Sequence, residues 1–168
     1  MTYSSTSVDS RTAWAAARPD IDTSAMEVVG PIKRIERLLA TSVEALYEGA
    51  PLTAPELDLL VQLRHAEGPV IARRLAENMR CSRAAVSKTL AKLEKHGFIE
   101  RRPSPADRRA ALVTVTTAGR DAVDAMFPRQ LAVEAALLKG LGADRDRVVK
   151  ALNLLEQILE QRAGGQHA

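Results

Sequence analysis

The sequence predicts a mainly α-helical chain that carries one small β-hairpin, and three observations support this fold class. Ala, Leu and Val make up most of the apolar residues, while aromatic residues account for only 3% of the 168 residues. Ala and Leu are strong helix formers. Apolar residues recur at three- and four-residue spacing over most of the chain, as in amphipathic helices. The β-branched, alternating pattern of strands is confined to residues 98–116.

The N-terminal third predicts a tail followed by two helices. Residues 1–10 are rich in Ser and Thr, which is typical of a disordered segment. Residues 11–50 predict a short extra first helix and a longer second one. A capping box of Ser24 and Glu27 is expected to open the longer helix. Pro31 lies inside it and is expected to kink it or to start a new helix.

Residues 53–117 predict three short helices and a hairpin. A second capping box, Thr53 with Glu56, opens the first of these helices. The second helix is expected over residues 70–78, after a Gly-Pro break. Ser82 is a suitable N-cap for the third helix, which a glycine ends before the strand pattern begins.

The hairpin is predicted from two strand-like runs, residues 98–102 and 111–116, which are joined by a polar loop over residues 103–109. Three helices followed by a basic hairpin form a winged helix-turn-helix, so residues 53–117 are called the winged unit below. Thr117 is expected to cap the next helix. Residues 118–162 predict C-terminal helices whose apolar stripes, like those of the N-terminal helices, are too extensive for one short chain to bury. We therefore expect these helices to form a homodimer.

Charge is distributed unevenly along the chain. Residues 70–117 hold eleven Lys and Arg against four Asp and Glu, a local net charge of +7, within a chain whose total is +3. A basic segment on an acidic body favours a polyanionic partner. Cys81 is the only cysteine, and no apolar run is long enough to span a membrane, so a cytoplasmic location is expected.

The third helix of the winged unit is amphipathic in a way that suits DNA. If Val86, Leu90 and Leu93 are buried, the opposite face presents small and basic side chains that can approach the floor of a groove. An arginine at the hairpin tip can enter the minor groove. The predicted contacts to double-stranded DNA are Ser82, Arg83, Ala84, Ser87, Lys88, Lys92, Arg108 and Arg109. A twofold dimer would present two such helices to a palindromic operator.

These residues carry a family resemblance. The runs Val86-Ser87-Lys88, Leu93 to Ile99, Asp107-Arg108-Arg109 and Val115 to Gly119 resemble the MarR family of bacterial transcriptional regulators, at that family's spacing. The resemblance covers about residues 24–161 and implies a winged helix-turn-helix flanked by dimerisation helices. The chain departs from the pattern at Ala106, where the family often has another wing arginine.

The N-terminal residues are similar to the urate-responsive, PecS-like branch of that family. They are Trp14, Arg18-Pro19-Asp20-Ile21-Asp22 and Met26-Glu27-Val28-Val29-Gly30. The resemblance implies a ligand site formed by Trp14, Asp58, Arg101 and a recognition-helix arginine, which is Lys88 here. Lysine keeps the charge but lacks the planar fork of arginine. The ligands that stay open are urate, a related anionic aromatic compound and a small polycarboxylate. The resemblance also implies that ligand binding releases the protein from DNA, as expected of a repressor.

Three other functions are weighed against DNA binding. Cys81 lies beside Arg80 and Arg83, which could activate its thiol, so a redox-sensing regulator is the alternative function. A helical protein-binding adaptor is a second alternative, although the basic wing argues against it. An enzyme is not expected, because the three histidines are scattered and no Gly-rich phosphate loop occurs. No catalytic residue, metal site or cofactor is predicted.

Overall fold

The computed structural model describes residues 10–105 and 110–164 of the chain. Seven α-helices and three short β-strands lie within these ranges. A 3₁₀ segment, Lys139–Asp144, joins the last two helices. The elements in chain order are α1 (Ser10–Ala17), α2 (Met26–Glu44), α3 (Ala54–Arg64), β1 (Val70–Ile71), α4 (Ala72–Asn78), α5 (Arg83–Lys95), β2 (Ile99–Pro103), β3 (Ala111–Val115), α6 (Thr117–Leu138) and α7 (Arg145–Gly164).

The sheet has three antiparallel strands in the order β1-β3-β2, rather than the two of a simple hairpin. The helix predicted over residues 70–78 therefore begins two residues late, at Ala72. Val70 pairs with Val113 and Ile71 with Leu112. Both residues are β-branched, follow the Gly68-Pro69 break and meet the free edge of β3, so the strand outcompetes the first turn of the helix.

The hydrophobic core lies within the winged unit and extends into α6. Leu75 of α4 and Val86 and Leu90 of α5 share this core. From α6, Val123 and Met126 join it. Its buried members are Leu52, Leu57, Leu59, Leu60, Leu63, Leu75, Ala76, Val86, Leu90, Leu93, Ile99, Val113, Val115, Val123 and Met126.

Two of the predicted helix starts are confirmed by their caps. The backbone N–H of Thr53 donates to Oε2 of Glu56 at 2.8 Å, and the Thr53 hydroxyl donates to the same oxygen at 2.8 Å. The hydroxyl of Ser82 accepts from the N–H of Ala85 at 3.1 Å, which caps α5. Gly97 ends α5 with φ +75°, a conformation that glycine adopts without strain.

Two other predicted caps are wrong. The longer N-terminal helix begins at Met26 and not at a Ser24 cap. Ser24 lies in the turn before it, where its N–H donates to Oδ1 of Asp22 at 2.8 Å, so the Asx-type turn replaces the capping box. Helix α6 begins at Thr117, but Thr116 is its cap: the Thr116 hydroxyl accepts from the N–H of Gly119 at 3.1 Å.

Both prolines of the long helices are tolerated inside them. Helix α2 continues through Pro31, and α6 continues through Pro128, so neither proline starts a separate helix. Pro31 occupies the sixth position of α2, where the loss of one N–H donor affects only a bond to the first turn.

The helices outside the winged unit leave many large apolar side chains exposed. Helix α1 buries no residue, and α2 buries only Val43. Helix α2 packs on α6, whereas α7 lies mainly against the 3₁₀ segment. The exposed apolar residues on these helices include Trp14, Val28, Val29, Ile32, Ile35, Leu38, Leu39, Leu131, Leu137, Leu138, Val149, Leu152, Leu154, Ile158 and Leu159.

The predicted N-terminal tail and wing tip fall largely outside the described residues. Of the tail over residues 1–10, only Ser10 is described, and it is the first residue of α1 rather than part of the tail.

Across residues 10–105 and 110–164, every helix is too short or too polar to cross a membrane.

Candidate nucleic-acid interface

Helix α5 presents one buried face and one exposed face, as its sequence predicts. Val86, Leu90 and Leu93 are almost fully buried against the core. The opposite face is open to solvent along its whole length. The exposed residues on it are those predicted to contact DNA: Ser82, Arg83, Ala84, Ser87, Lys88 and Lys92. The helix is therefore shaped to enter a groove with its basic face.

The N-terminus of α5 is held in a fixed orientation by the turn before it. The N–H of Cys81 donates to the carbonyl of Ala76 at 3.1 Å, and Arg80 adopts φ +52°. The Ser82 hydroxyl accepts a hydrogen bond from the N–H of Ala85. The N–H groups in the first turn of a helix have no acceptor within the helix. Those groups and the helix dipole favour a phosphate at this end.

The tip of the wing carries two predicted DNA contacts that lie outside the described residues. These are Arg108 and Arg109, together with the neighbouring Ala106 and Asp107. The base of the wing is described: the N–H of Ser104 donates to the carbonyl of Ala110 at 2.9 Å and closes the β2–β3 ladder. The role of the tip arginines stays a prediction.

A cleft of about 600 Å³ lies between α4, α5 and the wing. Three arginines, Arg73, Arg83 and Arg101, line it, and no acidic residue does so among the described residues. Two hydroxyls, from Ser87 and Ser104, complete its polar lining. Its floor is apolar: Ile71, Ala72, Val86, Leu90, Ala110 and Ala111. This combination suits a small anion with an apolar body.

Arg101 lies partly buried in this cleft, with 28% of its side chain exposed. It lies on β2 opposite Val113, on the side of the sheet that also carries the buried Ile99. Its Nη1 lies 3.5 Å from Oε2 of Glu94. Its Nε is buried and has no hydrogen-bond acceptor among the described residues. A buried donor without an acceptor is costly.

Asp58 lies in a different environment, on α3 near α6 and the turn after α2. The hydroxyl of Tyr47 donates to Oε1 of Gln130, and Nε2 of Gln130 donates to Oε1 of Glu134 at 2.8 Å. Burial raises the pKa of the Asp58 carboxyl above its ordinary value, and the charge of Glu134 raises it further. Although Asp58 is exposed, the protein around it still removes enough water to disfavour its charge.

The predicted ligand residues are not gathered around one cleft of the subunit. Arg101 lines the cleft described above, but Trp14, Asp58 and Lys88 do not. Trp14 lies on α1 with 53% of its surface exposed. The structure instead brings Arg101 together with Arg73 and Arg83.

Sequence reasoning missed several neighbours of these residues. Ser104 and Arg73 reach Arg101 through the fold of the wing and through α4, and Tyr47 and Glu134 reach Asp58 across three elements. Only Glu94 carried a local signal. Glu94 lies near the C-terminal end of α5. The turn at Gly97 folds β2, which carries Arg101, back onto that helix.

The redox alternative gains no support from the surroundings of Cys81. The thiol is exposed, and its Sγ lies 3.3 Å from the carbonyl oxygen of Met79. As the sequence contains no second cysteine, an intramolecular disulfide cannot form.

Comparison with known proteins agrees with this geometry. Residues 52–111, which span the winged unit up to the start of β3, match the model of the MarR family. The chain is also similar to the HTH-type transcriptional regulator PecS of Dickeya dadantii, with 23% identity over 141 residues that cover 83% of this chain and 85% of PecS. These matches identify residues 52–111 as similar to the MarR family and the longer chain as similar to PecS.

Solved MarR-family structures share its fold. The structure of a MepR–DNA complex from S. aureus superposes with a TM-score of 0.70 at 21% identity, covering 79% of this chain and 97% of MepR. That of BpsR from Bordetella bronchiseptica, whose DNA binding is regulated by 6-hydroxynicotinic acid, gives a TM-score of 0.69 at 25% identity, covering 77% and 92%. The family that residues 52–111 match and the similar PecS are transcriptional regulators rather than enzymes, which assigns this chain to DNA-binding transcriptional regulation.

Proposed function

We propose that this regulator is a homodimeric repressor that binds a palindromic operator in the cytoplasm and is released by a small anionic ligand. The exposed basic face of α5, above its buried stripe of Val86, Leu90 and Leu93, carries the proposal. In a twofold dimer, two such helices about 34 Å apart would enter successive major grooves on one side of the duplex.

The apolar faces of α1, α2 and α7 support the dimer. Leu38 on α2 is 68% exposed and Leu159 on α7 is 57% exposed, and similar side chains lie along both helices. Monomeric proteins rarely expose apolar surface this continuously. A second copy of the chain has the same faces, which is what a twofold interface requires. We accordingly assign residues 11–50 and 118–162 to dimerisation and residues 53–117 to DNA binding.

The DNA-binding face is tested by charge reversal on α5. Arg83→Glu is expected to lower affinity for an operator selected from random duplexes by at least a hundredfold, since a phosphate or guanine contact becomes a repulsion. Lys150→Glu makes the same change of charge on the exposed surface of α7 and serves as the matched control. Mobility-shift titrations measure both. Equal affinity of Arg83→Glu and Lys150→Glu would refute the assignment of α5.

The repressor role is proposed from the resemblance to ligand-released regulators of this branch. An operator that overlaps a promoter would be closed to RNA polymerase while the dimer is bound. A promoter–reporter fusion with the selected operator tests this: deletion of the regulator should raise expression, and an activator would give a fall instead.

The anionic ligand is supported by Arg101 and its cleft. The Nε of Arg101 and the two other arginines attract an anion, and the described residues that line the cleft include no carboxylate. Arg83 and Ser87 belong both to this cleft and to the DNA-facing side of α5. A ligand held there would compete with DNA for the same side chains. The contribution of Trp14, Asp58 and Lys88 is proposed from the resemblance to the urate-responsive branch.

Calorimetric titration with urate, 6-hydroxynicotinate and citrate tests the ligand site. At least one anion is expected to bind to the wild type and to release DNA. Arg101→Gln should weaken that binding at least tenfold, and Trp14→Phe should weaken it if the N-terminal helix takes part. Arg102→Gln removes a neighbouring charge that points away on the same strand and is the control. No heat with any anion, or equal binding by Arg101→Gln, would exclude this site.

A further inference from the structure

Arg80 occupies a fixed position immediately before the recognition helix. It lies in the turn between α4 and α5, two residues ahead of the Ser82 cap, with φ +52°. The turn is anchored on both sides of Arg80: the N–H of Met79 donates to the carbonyl of Leu75 at 2.9 Å, and the N–H of Cys81 donates to that of Ala76 at 3.1 Å. The side chain therefore starts from a rigid origin beside the N-terminus of α5.

The guanidinium of Arg80 is held by the end of α7. Its Nη2 pairs with Oε1 of Glu160, and Glu156, one turn earlier on the same helix, adds to the negative field. The hydrogen bond to Glu160 is the main cause that raises the pKa of Arg80. Side-chain exposure is 63% for Arg80 and 41% for Glu160. An ion pair this open to water is weak, so another anion can replace Glu160.

We propose that Arg80 is a ligand of the DNA phosphate backbone that Glu160 holds in the free protein, and that it exchanges Glu160 for a phosphate when α5 enters the groove. This inference rests on the DNA-binding function of α5. The backbone that borders the groove passes the first turn of the helix, where the N–H groups already favour a phosphate. An arginine rooted two residues upstream reaches the same region and matches a phosphate with two parallel N–H donors.

The strength of the two competing anions decides the exchange. Duplex DNA presents about one negative charge per 1.7 Å of its axis, whereas α7 presents two carboxylates at this point. The field of the duplex is the stronger of the two. The exchange nevertheless leaves Glu156 and Glu160 without Arg80 and close to DNA, so the ion pair lowers affinity for every duplex. It acts as an autoinhibitory contact.

Two variants, each of which replaces a charged side chain with a neutral one, separate the roles of Arg80 and Glu160. Binding is measured to a 30-base-pair duplex of arbitrary sequence and to the selected operator, over a range of salt concentrations. Arg80→Gln is expected to lower affinity about tenfold at low salt and to reduce the slope of log affinity against log salt by about one per subunit. Glu160→Gln is expected to raise affinity for DNA about threefold, because no ion pair with Glu160 then has to break before Arg80 binds a phosphate.

The double variant and a matched control make the result specific. In an Arg80→Gln background, Glu160→Gln should have only the small effect that loss of any surface carboxylate has. Asp144→Asn measures that effect. It removes one carboxylate just before the first residue of α7, 16 residues ahead of Glu160 in the sequence. Arg80→Lys should retain most of the affinity and the salt slope, because it keeps a phosphate-binding charge. Thermal unfolding of each variant verifies that it is folded.

Three outcomes would overturn the proposal. One is an unchanged affinity and salt slope in Arg80→Gln. Another is a gain in DNA affinity from Glu160→Gln that is no larger than the gain from Asp144→Asn, or that persists in the Arg80→Gln background. The third is a loss of affinity in Glu160→Gln as large as in Arg80→Gln, since the pair would then be a structural brace. If Arg80→Gln does not fold, the comparison of Arg80→Lys with Glu160→Gln still decides between an exchanged ligand and a brace.

Discussion

The winged unit and the helices around it solve the problem of apolar surface in different ways. The winged unit and the first half of α6 bury a continuous core within one chain, from Leu52 to Met126. Helices α1, α2 and α7 carry as many large apolar residues but leave most of them exposed. A single chain therefore completes the core of the winged unit, whereas the flanking helices leave a surface for the second copy of the proposed dimer. In that proposal, dimerisation positions the two recognition helices but does not build them.

The largest expected effect comes from a charge placed in the exposed apolar face of α2. Ile35 is 52% exposed in the middle of that face. Ile35→Glu is expected to convert the dimer to a monomer, because a buried unpaired carboxylate is costly at an interface. Operator affinity should then fall more than a hundredfold, since one subunit contacts only one half-site. Sedimentation equilibrium and mobility shift measure the two effects.

Thr41→Glu is the control for this prediction. Helical spacing places Thr41 on the opposite, polar side of α2, and it is exposed. It should remain dimeric with unchanged affinity. A dimeric Ile35→Glu would contradict the comparison between the two regions, and so would a monomer that binds the operator as tightly as the wild type.

A smaller effect, on stability, is expected from the close contact between α6 and the wing. A Cβ at Gly119 would lie 2.1 Å from the carbonyl oxygen of Phe98, which also accepts the N–H of Thr116. Gly119→Ala should therefore destabilise the winged unit by about 3 kcal/mol, as expected for overpacking against backbone that cannot move. The midpoint of thermal unfolding, followed by circular dichroism, should fall by several degrees.

Gly140 provides the matched substitution, because a Cβ there meets no atom within 4 Å. Gly140→Ala should change the midpoint little. If the two alanine variants unfold at the same temperature, the winged unit is less tightly packed than the comparison with the flanking helices requires.

The smallest predicted effect depends on pH and involves Asp58 on α3, whose negative charge is disfavoured by Glu134 of α6. Burial and Glu134 raise the pKa of Asp58 in the folded protein, so the folded state binds this proton more tightly than the unfolded state. The stability that this site contributes is present below the ordinary pKa of a carboxyl group and is lost as pH rises through the higher folded pKa. Asp58→Asn is therefore expected to unfold at a higher temperature than the wild type at about pH 7.5, with the difference closing at about pH 4.

Glu48→Gln removes an exposed carboxylate from the turn after α2 and is the matched control for the loss of one charge. A stability difference for Asp58→Asn that is equal at both pH values would mean that charge at Asp58 does not oppose folding.

Local signals in the sequence predicted most of the fold but little of the environment of the candidate site. The Thr53–Glu56 box, the Ser82 cap and the Gly97 turn depend on residues within a few positions of one another, and all three were predicted correctly. The strand at Val70 was missed because it exists only through pairing with β3, more than forty residues later.

The same distinction applies to function. The outward face of α5 follows from helical periodicity and was predicted residue by residue. The three-arginine cleft around Arg101 and the contact of Arg80 with Glu160 each depend on elements that are distant in sequence. Charge in the sequence indicated that a polyanion is bound, but only the folded chain shows which cations already have partners.

Hydroxyl-radical footprinting of the wild-type protein on the selected operator tests the central claim most directly. Two basic α5 faces held by a twofold dimer should protect two segments about 10 base pairs apart, centre to centre, on one face of the duplex. A single protected half-site, or protection spread evenly around the duplex, would contradict it.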